Sequence, residues 1–253
     1  MSANASTNTA LRVGLMVPCY VDQFYPRVAA ASRKLLERHG CEVVVPQDQT
    51  CCGQPLLNSG FAEQTKPIAK HCCKVFEGFD HVVCPSGSCT AMVREHYEEL
   101  WLDGVTVPKV YELCEFLHDV LEVTDIDAVF PHRVGIHQGC HGLRELRLAQ
   151  PSESFGQAPN KTRALLSQVR DIELVDLDRP DECCGFGGLF AVSEEAVSVG
   201  MGRDRVATHE RAGAEVIASG DMSCLMHLEG LIRRADKPIR VMHVAEILAG
   251  DTT

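Results

Sequence analysis

The chain has 253 residues, of which 45% are hydrophobic and 23% are charged, and its formal net charge is −11. This length and composition are typical of a globular protein with one large domain or two smaller ones, and they exclude a disordered chain. The negative charge disfavours nucleic acid and anionic membranes as partners, and the sequence has no apolar run long enough for a membrane span.

Residues 1–10 are small and polar, with neither a basic patch nor an apolar core. They predict neither a signal peptide nor a transit sequence. We therefore expect a cytoplasmic protein, in which thiols stay reduced. The 13 cysteines are an odd number that cannot all pair, so they indicate metal or redox chemistry rather than a disulfide framework.

Strands and helices alternate in the first half of the chain. Residues 11–19 form an apolar run that predicts a buried strand ending at a cysteine, followed by a helix over 25–39 and a second strand over 41–46. The other predicted elements are helices over 62–76, 89–100 and 112–121 and strands over 81–84 and 107–110. This order places cysteine loops beyond the strand ends, where open α/β sheets bind ligands.

The pattern restarts after a predicted boundary at residues 125–132. Arg133-Val134-Gly135 repeats Arg12-Val13-Gly14, and a predicted strand over 133–140 again ends at a cysteine. Further elements are helices over 161–170 and 193–212 and strands over 172–177 and 215–218. This internal repeat indicates a duplication. We predict an α/β fold of two Rossmann-like halves, residues 11–124 and 132–250, each a small parallel sheet flanked by helices.

Each half contains a Cys-Cys-Gly triplet, Cys51-Cys52-Gly53 in the first and Cys183-Cys184-Gly185 in the second. Adjacent Cα atoms lie about 3.8 Å apart, closer than the roughly 4.4–6.8 Å of a relaxed disulfide, so a vicinal pair is poorly built to bridge to itself. Two neighbouring thiolates can instead reach different atoms of one cluster, and the glycine lets the backbone approach closely. A single pair could equally be buried packing, but two pairs in matching contexts favour metal binding.

Four cysteines recur in the same order in each half. In the first half 31 residues separate Cys19 from Cys51 and 36 separate Cys52 from Cys89, and the corresponding numbers in the second half are 42 and 39. Structural zinc usually takes ligands in close Cys-x-x-Cys pairs, whereas these come from three loops per half, which favours a four-iron cluster with about four thiolates. The candidate ligands are Cys19, Cys51, Cys52, Cys89, Cys140, Cys183, Cys184 and Cys224.

The remaining cysteines are weaker candidates. Cys84 precedes a Pro-Ser-Gly-Ser turn, but it aligns with Ser219, so the second half has no thiol there. Four others lie on predicted strands or helices with apolar neighbours, where free cysteine commonly serves as packing. These four are Cys41, Cys72, Cys73 and Cys114.

Three histidines lie close to candidate ligands. His227 follows Cys224 by three residues and would face the same way on a helix, as a ligand or as a hydrogen-bond donor to sulfur. His137 and His141 flank Cys140, where they could orient or tune a cluster. The alternative for His137 and His141 is that they are ordinary polar residues of the surface.

Other cofactor and catalytic motifs are missing from the sequence. Gly185-Phe186-Gly187-Gly188 lacks the spacing of a dinucleotide fingerprint, so the chain is not expected to bind NAD itself. No phosphate loop is present, and no thiol is singled out beside a base as a nucleophile. We therefore predict an oxidoreductase subunit with no assigned catalytic residue.

The order of a cysteine, a Cys-Cys-Gly triplet and a further cysteine resembles the cysteine-rich CCG domain of heterodisulfide reductases and their relatives. Within that group, residues 17–22, 85–89, 137–141 and 223–227 most resemble the lactate utilization protein A family. The resemblance implies an iron–sulfur electron-transfer subunit with one or two [4Fe-4S] clusters. It also implies two other lactate-utilization subunits as partners, at least one of them an iron–sulfur protein, in the oxidation of L-lactate to pyruvate.

The sequence departs from the reductase motif, which ends in Cys-x-x-Cys. Met92 and His227 occupy the last position, so each half lacks the fifth thiolate of a noncubane cluster. Two other functions stay open. The chain could be a thiol–disulfide enzyme that uses the vicinal pairs, as in heterodisulfide reduction, or a zinc-stabilised interaction module.

Overall fold

A computed structural model describes residues 10–156 and 158–251. The prediction that no targeting signal is present concerns residues 1–10, and residues 1–9 lie outside the described part of the chain. Among the described residues, no helix combines the length and the apolar character that a membrane crossing requires.

The first half forms a four-stranded parallel sheet in the order β2-β1-β3-β4. Its strands are β1 (Leu11–Leu15), β2 (Cys41–Val44), β3 (His81–Cys84) and β4 (Val110–Glu112). Its α-helices are α1 (Cys19–Phe24), α2 (Pro26–Arg38), α3 (Gln54–Asn58), α4 (Ala62–Val75), α5 (Gly87–Ala91) and α6 (Leu113–Glu115).

The second half repeats this architecture in the order β6-β5-β7-β8. Its strands are β5 (Arg133–Ile136), β6 (Glu173–Val175), β7 (Val216–Ser219) and β8 (Arg240–His243). Its α-helices are α7 (Lys161–Leu166), α8 (Phe190–Ser193), α9 (Glu195–Arg211), α10 (Met222–Arg234) and α11 (Val244–Leu248). The predicted fold class, with two parallel sheets flanked by helices, is confirmed; the boundaries 11–124 and 132–250 stay a prediction.

The halves share one hydrophobic core. The larger apolar cluster contains Val13 and Leu15 of β1 together with Val134 of β5 and Val216 of β7. Across the interface α2 packs on α11 and α6 packs on α7. Since α7 occupies the place of α2 in the repeat, and α11 that of α6, these two contacts are related by a pseudo-twofold axis.

Several predicted strands end earlier or begin later than expected. The apolar run 11–19 leaves the sheet after Leu15. Pro18, which is still extended (φ −60°, ψ 145°), is the N-cap residue of α1, so Cys19 begins this helix instead of ending a strand. The predicted strand over 133–140 likewise ends at Ile136. The strand predicted at 107–110 lies at Val110–Glu112 because Pro108 has no N–H for the ladder.

The predicted helices are also interrupted. The helix over 89–100 is α5 followed by a π-helical turn at Met92–His96, and the helix over 112–121 is α6 followed by another at Phe116–Val120. The helix over 193–212 breaks at Glu194 (φ −121°), which separates α8 from α9. The helix over 161–170 stops at Leu166, and α3 is an additional element directly after Gly53.

Candidate metal centres

The eight candidate cysteines lie beyond the carboxyl ends of the parallel strands. Cys19 follows β1 and the vicinal pair Cys51-Cys52 follows β2, while Cys89 lies in α5 after β3. The second half repeats this placement after β5, β6 and β7. Because the carboxyl ends of parallel strands share one edge of the sheet, each set of four converges. We call the sets the first cysteine centre (Cys19, Cys51, Cys52 and Cys89) and the second cysteine centre (Cys140, Cys183, Cys184 and Cys224).

In the first cysteine centre the thiols form a chain of contacts. Cys51 is within hydrogen-bonding reach of Cys19 and Cys52, and Cys52 is within reach of Cys89. The Gly53 N–H donates to Cys51 Sγ at 3.4 Å. Hydrogen bonds from Cys19 and Cys52, with a smaller one from the Gly53 amide, lower the pKa of Cys51 and favour its thiolate. The same Cys51 contact raises the pKa of Cys19.

The second cysteine centre repeats these contacts. Cys183 is within hydrogen-bonding reach of Cys140 and Cys184, and Cys184 is within reach of Cys224. The Gly185 N–H donates to Cys183 Sγ at 3.3 Å. Hydrogen bonds from Cys140 and then Cys184 lower the pKa of Cys183, so it is the favoured thiolate here. The two loops are thus alike in backbone and in thiol contacts, and in each the first cysteine of the vicinal pair is the favoured thiolate.

Both centres face one cavity. This cavity has a volume of about 120 Å³, and all eight cysteines line it. Tyr20 and Phe186, one from each half, also line it and meet edge to face with ring centroids 5.9 Å apart. The fold therefore brings the two sets of thiols to a common space between the halves.

A carboxylate of the second half links the two centres. Asp221 caps α10 three residues before Cys224, and its Oδ2 accepts hydrogen bonds from Ser88 N at 2.8 Å and Ser86 Oγ at 3.1 Å in the first half. Burial alone would raise the pKa of Asp221, but hydrogen bonds from Ser223 and Ser88 lower it, so the group is ionised. Asp221 is not among the residues predicted from the sequence, although its position as a helix cap before a candidate ligand was an available signal.

A buried basic pair lies beside the second cysteine centre. Arg205 has no exposed surface, and its Nε donates to Nδ1 of His137 at 3.1 Å. A ring nitrogen of His137 and the thiols of Cys184 and Cys224 lie within 4.8 Å of one another. The position of His137 near a cluster was predictable from the sequence, whereas that of Arg205, which lies 68 positions away, was not.

The weaker candidates fall into two groups. Cys84 is completely buried at the end of β3 and within reach of Cys89, so it lies beside the first centre without lining the shared cavity. The other four cysteines are all buried, as packing residues would be. Nε2 of His227 donates to the carbonyl of Ser198 at 3.3 Å, so this nitrogen is not free to bind a metal. His141 lines the cavity, where its Nε2 lies 3.3 Å from Gln54 Nε2.

The donor set fits an anionic iron–sulfur group. Thiolates suit zinc, copper(I) and iron–sulfur clusters rather than hard cations such as Mg²⁺. Arg205 is buried with the guanidinium next to carbonyl groups, and none of the ion pairs among the described residues includes it. A buried cation needs a compensating negative charge. Glu182 and Asp181 supply part of that charge, and a thiolate of Cys184 bound to iron would add to it.

Comparison with known proteins identifies the family. The model of the CCG cysteine-rich domain matches residues 13–94 and 134–229, so each match contains one complete cysteine centre. The chain is 42% identical over 246 residues to lactate utilization protein A of Shouchella clausii, covering 94% of this chain and 98% of that protein. It is 43% identical over 245 residues to lactate utilization protein A of an Exiguobacterium species, covering 93% and 96%. The chain belongs to the lactate utilization protein A family.

A solved structure supports the architecture of this family member. The crystal structure of a hypothetical protein from Helicobacter pylori aligns with a TM-score of 0.59 over 97% of the chain, at 12% identity. The chain spans 50% of the length of that protein. At this identity the match concerns the fold alone, and it agrees with two helix-flanked α/β halves.

Proposed function

We propose that this chain is an iron–sulfur electron-transfer subunit that takes part in the oxidation of L-lactate to pyruvate. The observation that carries the proposal is the duplicated set of four thiols, which converge on one cavity at the carboxyl ends of two parallel sheets. The printed name of its relatives, lactate utilization protein A, supplies the metabolic process. The thiol donors support the cluster type and the electron-transfer role, which are both part of this proposal.

The eight cysteines would hold one or two [4Fe-4S] clusters. When bound, such clusters supply reversible one-electron transfer. The residues of the chain hold and shield them: Gly53 and Gly185 donate backbone hydrogen bonds to sulfur, and Tyr20 and Phe186 cover part of the cavity. Hydrogen bonds to sulfur and limited exposure both set the potential of a cluster.

Lactate itself would be oxidised on a partner. We propose two other lactate-utilization subunits, at least one of them an iron–sulfur protein, as the donor and acceptor of electrons. Leu189 lines the shared cavity with 49% of its surface exposed, and Val192 on α8 is 78% exposed. Exposed apolar side chains at the rim of a redox site support a docking surface there.

Metal analysis tests the proposal directly. On anaerobically purified protein we expect about four or eight irons per chain with a matching amount of acid-labile sulfide. Zinc without sulfide would favour an interaction module instead. Protein without metal after anaerobic cluster reconstitution, but active on disulfides, would favour a thiol–disulfide enzyme that uses Cys51-Cys52 and Cys183-Cys184. Either result would overturn the electron-transfer role.

The link to lactate needs a second measurement. Addition of L-lactate together with the partner subunits should reduce the clusters, which electron paramagnetic resonance detects. D-lactate and the omission of one partner serve as controls. Reduction that proceeds equally well with pyruvate in place of lactate would contradict the assignment of the process.

A further inference from the structure

The protonation of His137 is fixed by its neighbour. A guanidinium group can only donate hydrogen bonds, so Nδ1 of His137, which faces Arg205 Nε at 3.1 Å, must accept and cannot carry a proton. The proton of the neutral ring therefore resides on Nε2. This atom is buried and has no hydrogen-bond partner among the described residues.

A protonated Nε2 has no lone pair to offer a metal. His137 is therefore not a fifth ligand, although one of its ring nitrogens lies with the thiols of Cys184 and Cys224 in a group that spans 4.8 Å. Nδ1 is occupied by the guanidinium, so Nε2–H is the group free to donate to these sulfurs. The arrangement places an unpaired histidine N–H in a ring that lies beside two candidate ligands of the second centre, with a buried cation behind it.

The positions of the first half that match His137 and Arg205 hold no such donor, and the hydrogen bonds described there come instead from Cys84 and Ser86 to Cys89. The repeated Arg-Val-Gly segment aligns His137 with Met16. The triplet glycines contact equivalent positions on the following helix, Ile68 for Gly53 and Met201 for Gly185, and this register aligns Arg205 with Cys72. Met16 and Cys72 are both 3% exposed and belong to the apolar cluster around the first cysteine centre.

We propose that His137 and Arg205 raise the reduction potential of the second cysteine centre above that of the first. This inference rests on the proposed function, because it requires clusters at both centres. Reduction adds negative charge to a cluster, and a hydrogen bond to its sulfur or a nearby buried cation stabilises that charge. Electrons that enter the chain then reside on the second centre. Both side chains act through the ligands, so they are positioning residues.

A redox titration followed by electron paramagnetic resonance tests the order of the two centres. In the intact protein we expect two one-electron waves, of which the one lost in Cys184→Ser has the higher potential. His137→Met gives position 137 the residue type that the first half has at Met16. It should lower the reduction potential of that wave by about 59 mV or more, which corresponds to a tenfold change in the oxidised-to-reduced ratio. The matched variant Met16→Leu should move neither wave.

A second readout detects the hydrogen bond itself. Electron–nuclear double resonance of the reduced second centre should detect an exchangeable proton that His137→Met removes. His137→Gln has an amide that can donate a hydrogen bond, so its second-centre potential should lie between those of His137→Met and the intact protein. If His137→Met loses iron, the potential of His137→Gln decides the test. A second-centre wave that is lower than the first, or that neither His137 variant moves, would overturn this inference alone. Protein without iron and sulfide would overturn the proposed function as well.

Discussion

The two halves place matching cysteines around one cavity but support them with different chemistry. Behind the first cysteine centre lie Met16 and Cys72, which belong to an apolar cluster. At the matching positions the second half has His137 and the completely buried Arg205. The candidate ligands, the glycine after each vicinal pair and the strand order are the same in both halves, whereas the charge behind the cysteines differs. The two halves therefore share a cysteine arrangement but differ in its electrostatic surroundings.

A third matched position shows how the backbone was preserved. A Cβ on Gly14 would lie 3.1 Å from the Phe76 ring, and a Cβ on Gly135 would lie 2.3 Å from Nδ1 of His209. Both strands thus need glycine because a ring from the long helix that follows the next strand, at the end of α4 or on α9, packs against them. Burial and then the charge of Arg205 lower the pKa of His209 to about 2, so its ring is neutral.

The largest expected effect tests whether the centres are separate. Cys52→Ser should remove the cluster of the first centre and Cys184→Ser that of the second, each with about half of the iron and sulfide, if each four-iron cluster uses its own four thiolates. Cys73→Ser, a buried cysteine on α4 that does not line the cavity, is the matched control and should keep all the iron. Metal analysis with electron paramagnetic resonance measures the outcome. Complete loss of iron in either ligand variant would indicate one cluster shared by both halves.

The next prediction concerns two matched helix caps whose contributions to stability depend on pH in opposite directions. Glu112 caps α6 and His243 caps α11, each in a capping box. Burial raises the pKa of Glu112 to about 8, and Glu115 and Asp221 add to the shift. The folded protein then binds this proton more tightly than the unfolded chain, so the stabilisation is complete below the ordinary pKa near 4.5 and is lost as the pH rises to about 8.

Glu112→Gln imitates the protonated form and should remove this dependence. Relative to the variant, the wild type should lose on the order of 3 kcal/mol of stability between pH 4.5 and pH 8. Burial lowers the pKa of His243 to about 4, so its contribution is complete above the ordinary value of 6.5 and is lost as the pH falls toward 4. His243→Asn should therefore give a difference of opposite sign. Denaturant midpoints at a series of pH values measure both, and parallel curves for all three proteins would refute the assignment.

The smallest effect is the difference in stability between the alanine variants of the two triplet glycines. Both have a φ of +86°, which costs a residue with a Cβ about 1–2 kcal/mol. A Cβ on Gly185 would also lie 2.7 Å from the carbonyl oxygen of Ser198, which is a backbone atom, whereas the nearest atom to one on Gly53 would be Cγ2 of the Thr65 side chain at 2.9 Å. Gly185→Ala should therefore destabilise by about 3 kcal/mol and Gly53→Ala by about 1–2 kcal/mol. Equal denaturation midpoints for the two variants would mean that the backbone contact relaxes freely.

The sequence was sufficient for the features that depend on local pattern and strand direction. Apolar runs and a repeated Arg-Val-Gly segment predicted two parallel sheets, and the carboxyl ends of parallel strands share an edge, so the convergence of the cysteine loops followed. The placement of Cys19 was wrong in detail, since Pro18 ends the extended run and Cys19 opens a helix.

Contacts between distant segments were beyond the sequence. Arg205 and His137 are 68 positions apart, and Asp221 and Ser88 are 133 apart. No motif joins such residues, and an arginine on a helix ordinarily predicts solvent exposure rather than complete burial. Only the packing of α9 on the sheet brings the guanidinium to the imidazole. The electrostatic difference between the centres is thus a tertiary property.

The contact between Ser86 and Asp221 has a consequence for how such a pair of halves can be encoded. Each of these residues caps the helix that contains the last of the four candidate ligands of its half, and they meet across the pseudo-twofold axis with 3.1 Å between Ser86 Oγ and Asp221 Oδ2. A homodimer of separate half-length chains would place the same residue type at both positions. Two aspartates there would repel each other in a buried space, and two serines would provide no charge. A single polypeptide allows a donor to face an acceptor, so fusion of the two halves permits a heterologous contact that exact symmetry forbids.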